Sequence, residues 1–245
     1  MRHIHFETID STNTYVKSLL QKEGLPEMET LLVTAEGQTA GRGRVGKSFS
    51  SEKGNGLYMT VAFFVGKRPE ESLFITTAAA VAVLETLEKA GSGDLKIKWV
   101  NDIFQNDRKV CGILTEAVTD KDTYLMEYAV VGVGINIDAD IKRLPDIAGT
   151  LRNLSVPKEE LAVKLAEKIK EYSLMAIASD HGRTEILEAY RRKSLMTGRD
   201  VYWEENDSMT TGVAVGIDEE CRLIVDTGEG RRTLDSGYIS VKPLI

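Results

Sequence analysis

Cysteine is scarce in this 245-residue chain, which contains only Cys111 and Cys221. The two residues lie far apart in the sequence and show none of the short spacings of metal-binding cysteines. The sequence therefore predicts neither a disulfide framework nor a cysteine-based metal site. Such a composition is typical of a reducing compartment, and we expect a cytoplasmic protein.

Long apolar runs are also missing. The first seven residues contain no stretch that could serve as a signal peptide. No segment approaches the roughly 20 apolar residues that a membrane-spanning helix needs. We therefore expect no association with a membrane.

Net positive charge is absent as well. The chain has 38 acidic and 31 basic residues, a formal net charge of −7, which argues against a general nucleic-acid binder. We see no helix-turn-helix pattern ahead of His3, so we expect no binding to specific DNA. A hydrophobic content of 42% and a charged content of 28% are those of an ordinary globular protein. A chain of this length can bury a sizeable core.

Against this acidic background, one run concentrates glycine and positive charge, Gly41-Arg42-Gly43-Arg44-Val45-Gly46-Lys47-Ser48. Guanidinium groups suit phosphate and carboxylate oxygens, and glycine lets the backbone approach a ligand closely. The run, called the basic loop below (residues 41–48), therefore predicts a binding site for an anionic ligand. For these residues alone, an ordinary solvated loop is the alternative.

The basic loop also matches the letters of the phosphate-binding P-loop motif. That motif needs a strand directly before it and a helix that begins at its lysine. Polar residues 34–39 separate the glycines from the preceding apolar segment, and residues 48–56 include two glycines and no helical period. We therefore do not expect a P-loop.

The remaining pattern predicts an α+β fold with a mixed sheet, followed by a small β-barrel. Apolar and alternating runs predict strands at residues 3–7, 29–35, 57–65, 95–100, 103–105, 109–118 and 124–137. Helical periods and caps predict helices at residues 10–22, 70–90, 158–175 and 183–193. Residues 138–153 have no clear period and indicate a long loop. About five short strands from Gly198 onward, with turns at 205–207, 218–220 and 227–230, predict a second domain. We place the domains at residues 1–195 and 196–245.

Polar and cationic residues cluster at the ends of these predicted elements. The clusters are Ser11-Thr12-Asn13, Gln38 to Lys47, Lys98-Trp99-Val100-Asn101-Asp102, and Lys109 with Gly112, while Asn136 closes the most apolar strand. Each alone could be a helix cap, a turn or a solvated strand face. Together they predict a cavity lined by cations and amides, without a Ser/His/Asp or Cys/His nucleophile set. Such a cavity suits phosphoryl-type chemistry, in which positioning and charge stabilisation dominate.

The same motifs, in order and spacing, resemble those of the biotin–protein ligases, which attach biotin to the carrier domain of biotin-dependent carboxylases. The matching segments are residues 11–13, 38–44, 98–102, 108–114 and 132–136. The resemblance implies the mixed-sheet catalytic domain of the biotin/lipoate ligase type, similar to class II synthetases, and a small C-terminal SH3-like barrel. The resemblance is to the short form of the family, which has no N-terminal DNA-binding domain.

The resemblance also implies a role for each matching residue. Biotin would be held by Ser11, Thr12, Asn13, Gln38, Gly41, Arg42, Gly43, Arg44, Lys109 and Gly112. ATP would be held by Arg44, Lys47, Lys98, Trp99, Asn101, Asp102 and Asn136, with Asp102 as a ligand of Mg²⁺. Lys109 and Arg44 would be catalytic. Biotin and ATP would form biotinyl-5'-AMP, which a lysine of a biotin carboxyl carrier protein would then attack.

Several positions depart from the family pattern. Val100 stands where proline is usual, and Lys47 stands where arginine is common, keeping the charge but losing bidentate geometry. Cys111 replaces a small residue, and we interpret it as a packing residue. The 138–153 loop has no aromatic side chain that could stack on adenine.

Two alternatives stay open. A lipoate or octanoate ligase would share the fold, but its arginine pair followed by a glycine triplet is missing here. A non-catalytic biotin-binding regulatory protein is the second, and Lys109 with the two loop arginines argues against it. A homodimer is compatible with the sequence.

Overall fold

The computed structural model describes residues 1–44, 46–205, 208–235 and 242–243. A seven-stranded sheet has the order β1-β2-β3-β7-β6-β5-β4, in which β1 and β2 run parallel and the other neighbours antiparallel. Its strands are β1 (Arg2–Ile9), β2 (Thr30–Gln38), β3 (Gly56–Lys67), β4 (Lys96–Lys98), β5 (Asp102–Gln105), β6 (Arg108–Thr119) and β7 (Met126–Asn136). The α-helices are α1 (Thr12–Glu23), α2 (Ser72–Lys89), α3 (Lys158–Ala178) and α4 (Asp180–Arg192). The predicted mixed-sheet α+β fold is confirmed.

A second, antiparallel sheet follows, with the order β11-β10-β9-β8-β12. Its strands are β8 (Asp200–Glu205), β9 (Ser208–Ile217), β10 (Leu223–Asp226), β11 (Arg231–Leu234) and β12 (Lys242–Pro243). The predicted small β unit of about five strands is therefore confirmed. Of the predicted turn at 205–207, Asn206 and Asp207 lie outside the described residues, as do residues 236–241 of the predicted barrel.

Helix ends follow local chemistry that the sequence partly revealed. Ser11 caps α1 by accepting a hydrogen bond from the Thr14 amide, and Gly24 ends the helix with a φ of 66°. Helix α4 begins three residues before its predicted start, because the Ser179 hydroxyl accepts from the Gly182 amide and caps it. The prediction missed this cap.

The strand predicted at residues 95–100 is too long at its end. Strand β4 stops at Lys98, and the next residues turn away from the sheet. Two buried side chains hold this turn: the Trp99 indole donates to the Cys221 carbonyl at 2.9 Å, and the Tyr190 hydroxyl donates to the Val100 carbonyl at 3.1 Å. Distant contacts therefore override the alternating pattern of the segment.

The core continues from the first sheet into the second. Tyr190 and Met196 share one buried cluster with Val201, Trp203 and Leu223 of the C-terminal strands. The Arg191 guanidinium also donates to the Ile217 carbonyl at 2.7 and 2.9 Å. A domain boundary at 195/196 stays a prediction, because this apolar cluster spans it.

Both cysteines are buried free thiols. Cys111 is fully buried in the core, as the packing interpretation expects, and burial raises the pKa of its thiol. No helix within the described part of the chain is both long and apolar enough to cross a bilayer.

The two faces of the larger sheet are covered differently. Val131, Val133 and Ile135 of β7 lie in one core cluster with buried residues of α2 and α3. On the opposite face, Val130 packs in a second cluster with Val16 of α1. The second cluster is much smaller than the first, so α1 covers only part of its face. The uncovered part is where the cavity lies.

We predict that Tyr190→Phe lowers the free energy of unfolding by roughly 1–3 kcal/mol, because the Val100 carbonyl loses its buried donor. Tyr190 is 1% exposed, whereas Tyr124 is 75% exposed, so Tyr124→Phe is the matched control and should change little. Urea unfolding measures both. Equal stability of the two variants would contradict the role of this hydrogen bond.

Candidate active site

A single cavity brings most of the predicted site residues together. It lies on the partly covered face of the larger sheet, between the start of α1, the basic loop and the ends of β4 to β7. The predicted residues that line it are Ser11, Thr12, Asn13, Gln38, Arg42, Gly43, Arg44, Lys47, Lys98, Trp99, Asn101, Asp102, Lys109 and Gly112. Gly41 and Asn136 are not among the lining residues.

Strand register builds the floor of the cavity. Asp102 pairs with Lys98 on one side and with Gly112 on the other. Gly112 pairs with Gly134, which pairs with Tyr58. Directly opposed residues of antiparallel strands share a face, so two neighbouring glycines leave a depression between a charged side and an aromatic side.

One end of the cavity carries amides and hydroxyls. The Thr12 backbone amide and hydroxyl both donate to Gln38 Oε1, at 2.8 and 3.1 Å, and Gln38 Nε2 donates to Ser51 Oγ at 2.9 Å. These contacts fix which way the Gln38 amide points. Sequence reasoning found Thr12 and Gln38 but missed Ser51.

Asn13 is held at the same end by three partners. The Thr60 hydroxyl bridges Thr12 and Asn13 Oδ1 at 2.7 and 2.6 Å, and Asn13 Nδ2 donates to Glu116 Oε2 at 2.9 Å. The Asn13 side chain lies flat on Gly132, where a Cβ would be 2.8 Å from Asn13 Cγ. The buried hydroxyl of Thr60 was missed, since an isolated threonine within an apolar strand gives no functional signal.

The other end is strongly cationic. Lys109 Nζ lies 2.7 Å from Asp102 Oδ1, and Arg44 Nη1 donates to Asn101 Oδ1 at 3.1 Å. The described residues that line the whole cavity include five cations, Arg42, Arg44, Lys47, Lys98 and Lys109, and one carboxylate, Asp102. This local excess of positive charge favours a ligand with several negative charges.

Lys98 is the most buried of these cations, at 9% exposure. Burial lowers the pKa of its ammonium, Asp102 opposes this effect, and the neighbouring positive charges of Lys109, Lys47 and Arg44 lower it further. Burial likewise lowers the pKa of Arg44. An anion placed among these groups would replace the water that they have lost.

A β-bulge brings Lys109 onto the cavity face. The register of β5 and β6 shifts between Ile103 and Phe104, so that Val110 has no cross-strand partner while Val110 and Cys111 are both buried in the core. The bulge turns the Lys109 side chain over Gly112, where a Cβ would lie 3.1 Å from Lys109 Nζ. Gly112 therefore provides the space that Lys109 occupies.

Phe49 forms an aromatic wall that sequence reasoning missed. Its ring lies over Gly134, where a Cβ would be 2.5 Å from Phe49 Cε1, and over Gly112 at 3.1 Å. The ring packs edge-on to Tyr58, with centroids 6.5 Å apart. The signal available was a single aromatic residue directly after the basic loop in an otherwise polar stretch.

The basic loop is a small hairpin. The Phe49 amide donates to the Gly41 carbonyl at 2.9 Å, and the Gly43 amide donates to the Lys47 carbonyl at 2.6 Å. Gly41 thus closes the base of the hairpin and does not face the cavity. Residues 46–55, all of them described, contain no helix, so the decision against a P-loop is confirmed.

Asn136 anchors the loop at residues 138–153. Its side-chain amide donates to the Gly149 carbonyl at 2.8 Å, and the Leu151 amide donates to the Asn136 carbonyl. The same loop pairs with Lys109, whose amide donates to Ile147 and whose carbonyl accepts from Gly149. Asn136 therefore lies behind the cavity, beside the backbone that carries Lys109.

Taken together, the fold and cavity define a class of protein. It is a mixed-sheet α+β ligand-binding protein whose site joins an amide-lined end to a cationic end under a basic hairpin. The sequence profile described as Biotin/lipoate A/B protein ligase family matches residues 5–136, and that of the Biotin protein ligase C terminal domain matches residues 201–242. The chain belongs to the biotin/lipoate A/B protein ligase family.

Individual relatives extend along nearly the whole chain. The bifunctional ligase/repressor BirA of Bacillus spizizenii is 29% identical over 98% of this chain and 74% of that protein. The biotin–[acetyl-CoA-carboxylase] ligase of Mycobacterium tuberculosis is 26% identical over 87% of this chain and 79% of that protein. The biotin protein ligase of Aquifex aeolicus, solved in complex with biotin and ATP, superposes with a TM-score of 0.77 at 25% identity, covering 99% of both chains.

We predict that Gly132→Ala destabilises the protein by roughly 1–3 kcal/mol, because the new methyl group overlaps the anchored Asn13 side chain. Gly216→Ala is the matched control, since a Cβ there meets no atom within 4 Å. Chemical unfolding in the absence of ligand compares them. A Gly132→Ala protein as stable as the control would show that Asn13 moves freely.

Proposed function

We propose that this chain attaches biotin to a lysine of a biotin carboxyl carrier protein, in an ATP-dependent reaction through biotinyl-5'-AMP. The observation that carries the proposal is the division of one cavity into an amide and hydroxyl end and a cationic end. Biotin has the matching division, with an uncharged ureido head and a carboxylate at the end of its chain. The membership of the family and the names of the relatives support the same reaction.

The amide end suits the ureido head. A urea offers one carbonyl acceptor and two N–H donors. The Ser11 hydroxyl accepts from the Thr14 amide and keeps its own proton to donate to the ureido carbonyl. Asn13 Oδ1 accepts from Thr60 and retains a second lone pair for a ureido N–H. Because Thr12 and Gln38 are held by their own hydrogen bonds, little ordering remains to be done on binding.

The cationic end suits the reacting groups. A carboxylate oxygen of biotin attacks the α-phosphorus of ATP, a bond to the β-phosphate oxygen breaks, and pyrophosphate leaves. Two anions must approach each other for this step, and the positive charges of Lys109 and Arg44 offset their repulsion. The uncharged amine of the carrier lysine then attacks the acyl carbon. The amide bond forms, the amine loses a proton, and AMP departs.

The remaining cations and one carboxylate would serve the nucleotide. Lys47 and Lys98, which line the same cavity as Asn101, would neutralise the leaving pyrophosphate. Within the described residues no group of three or more His, Cys, Asp or Glu forms a preformed metal site. Asp102 as a single carboxylate nevertheless fits Mg²⁺ that arrives with ATP, because Mg²⁺ binds through one or two carboxylates together with phosphate oxygens and water. Bound there, the ion would neutralise phosphate charge.

The partner and location form part of the proposal. The carrier is the biotin carboxyl carrier domain of a carboxylase, in line with the name of the M. tuberculosis relative. We propose a cytoplasmic enzyme that does not bind specific DNA, given the net charge of −7. A homodimer is compatible with this activity.

We predict that the purified protein binds biotin at least about 100-fold more tightly than lipoate, because lipoate offers no ureido group to the Ser11 hydroxyl and to Asn13 Oδ1. Isothermal calorimetry tests this preference. Tighter binding of lipoate or octanoate would instead favour the alternative ligase activity. Incubation with biotin, ATP and a carrier domain should add one biotinyl group by mass spectrometry, and binding without pyrophosphate release would favour a regulatory protein.

We predict that Lys109→Ala slows biotin-dependent pyrophosphate release by roughly 100- to 1000-fold, the scale of removing one preorganised charge from a transition state. Lys96→Ala is the matched control, because Lys96 lies on β4, separated from β6 by β5, forms its ion pair with Asp94 and does not line the cavity. Its rate should equal that of the wild type. A rate of pyrophosphate release by Lys109→Ala within about threefold of the wild-type rate would show that Lys109 does not stabilise the transition state.

A further inference from the structure

Glu116 is a carboxylate behind the cavity that the chemistry above does not use. It lies on β6, on the same face as Leu114 and Gly112 by strand alternation. Its side chain is 17% exposed, and it receives contacts from two separate parts of the site.

Three donors meet on this one carboxylate. Lys17 Nζ lies 2.6 Å and Arg42 Nη1 3.1 Å from Glu116 Oε1, and Asn13 Nδ2 donates to Oε2 at 2.9 Å. Burial raises the pKa of Glu116, but the hydrogen bonds from Lys17 and Asn13 and the charges of Lys17 and Arg42 outweigh it, so its pKa lies below the ordinary value. Helix α1 and the basic loop are therefore tied to the same strand position.

The two arginines of the basic loop contact different parts of the site. Arg44 reaches Asn101 at the cationic end. Arg42 reaches Glu116, four residues along β6 from Gly112, which is about 13 Å at the usual rise of a strand. The Arg42 guanidinium therefore lies at the amide end, far from the floor beneath Lys109.

We propose that Glu116 is a positioning residue that couples recognition of the ureido head to closure of the basic loop. Through Asn13 it fixes the orientation of the amide that meets the head, and through Arg42 it clamps the hairpin that covers the ligand. An isolated ion pair on the surface contributes little, but this carboxylate is largely shielded and shared by three donors. The head-group contact through Asn13 rests on the proposed function, with biotin as the ligand. The contact between Glu116 and Arg42 exists without any ligand.

Glu116→Gln tests the clamp, because it keeps an acceptor for Asn13 and removes the charge that holds Arg42. In the absence of ligand, trypsin should cut after Arg44 or Lys47 several-fold faster in Glu116→Gln and in Arg42→Met than in the wild type. Lys17→Met is the matched control, since it removes the third donor and leaves the Arg42 contact in place. Its cleavage rate should equal that of the wild type.

Kinetics provide the second readout. Glu116→Gln should raise the KM for biotin about tenfold, the size of effect found for a weakened charged contact, and leave the KM for ATP and kcat within about twofold. The double variant Glu116→Gln/Arg42→Met should be no worse than Arg42→Met alone, because both changes break one contact. The Arg42 side chain is about half exposed, so Arg42→Met should fold even if Glu116→Gln, which changes a more buried side chain, does not.

Wild-type cleavage of the loop in both Arg42→Met and Glu116→Gln would overturn the proposal, and so would losses of biotin affinity that multiply in the double variant. Biotin binding that is absent already in the wild type would instead refute the proposed function. The ligand-free cleavage assay still decides the clamp in that case. A fall in kcat with both KM values unchanged, together with a lower unfolding midpoint, would reduce Glu116 to a structural residue and also refute the proposal.

Discussion

The site depends on close packing against a sheet surface from which side chains are missing. Gly132, Gly134 and Gly112 lie on one face of two adjacent strands, where a Cβ would overlap Asn13 at Gly132 and Phe49 at Gly134, and would crowd Lys109 at Gly112. Side chains from a helix, a loop and the sheet can therefore converge close to the backbone. Substituted glycines would push these three groups outward together, so the geometry of both ends of the cavity rests on the same backbone surface.

Electrostatics then distinguish the two ends. At the amide end the charges are paired internally, since Lys17 and Arg42 both contact the carboxylate of Glu116. At the cationic end, the described lining residues include several cations and one carboxylate, Asp102. A chain of net charge −7 thus carries a local positive site, and we infer that the ligand completes it.

The C-terminal strands support this chemistry from a distance. Two hydrogen bonds hold the turn that leads into Asn101 and Asp102. The Trp99 indole donates to the Cys221 carbonyl, and the Tyr190 hydroxyl donates to the Val100 carbonyl. Because the apolar core continues into these strands, the turn is positioned by packing that spans the whole chain. The small β unit is therefore coupled to the position of the cationic end.

Local sequence determined most of the secondary-structure elements and most of the residues that line the cavity. The strand and helix periods, the basic loop and the polar clusters all followed from residue types and spacing, because each is governed by neighbours in the chain. Only the tertiary structure decided how these residues meet. Strict alternation along β6 would place Val110, two residues before Gly112, on the cavity face, yet a bulge buries Val110 and turns Lys109 there instead. Gly41 and Asn136 proved to be anchors, and Asn136 holds Gly149, 13 residues away. Phe49, Thr60 and Glu116 entered the site because their partners are distant in the chain, 47 residues away for Thr60 and 103 for Glu116, and no local pattern specifies them.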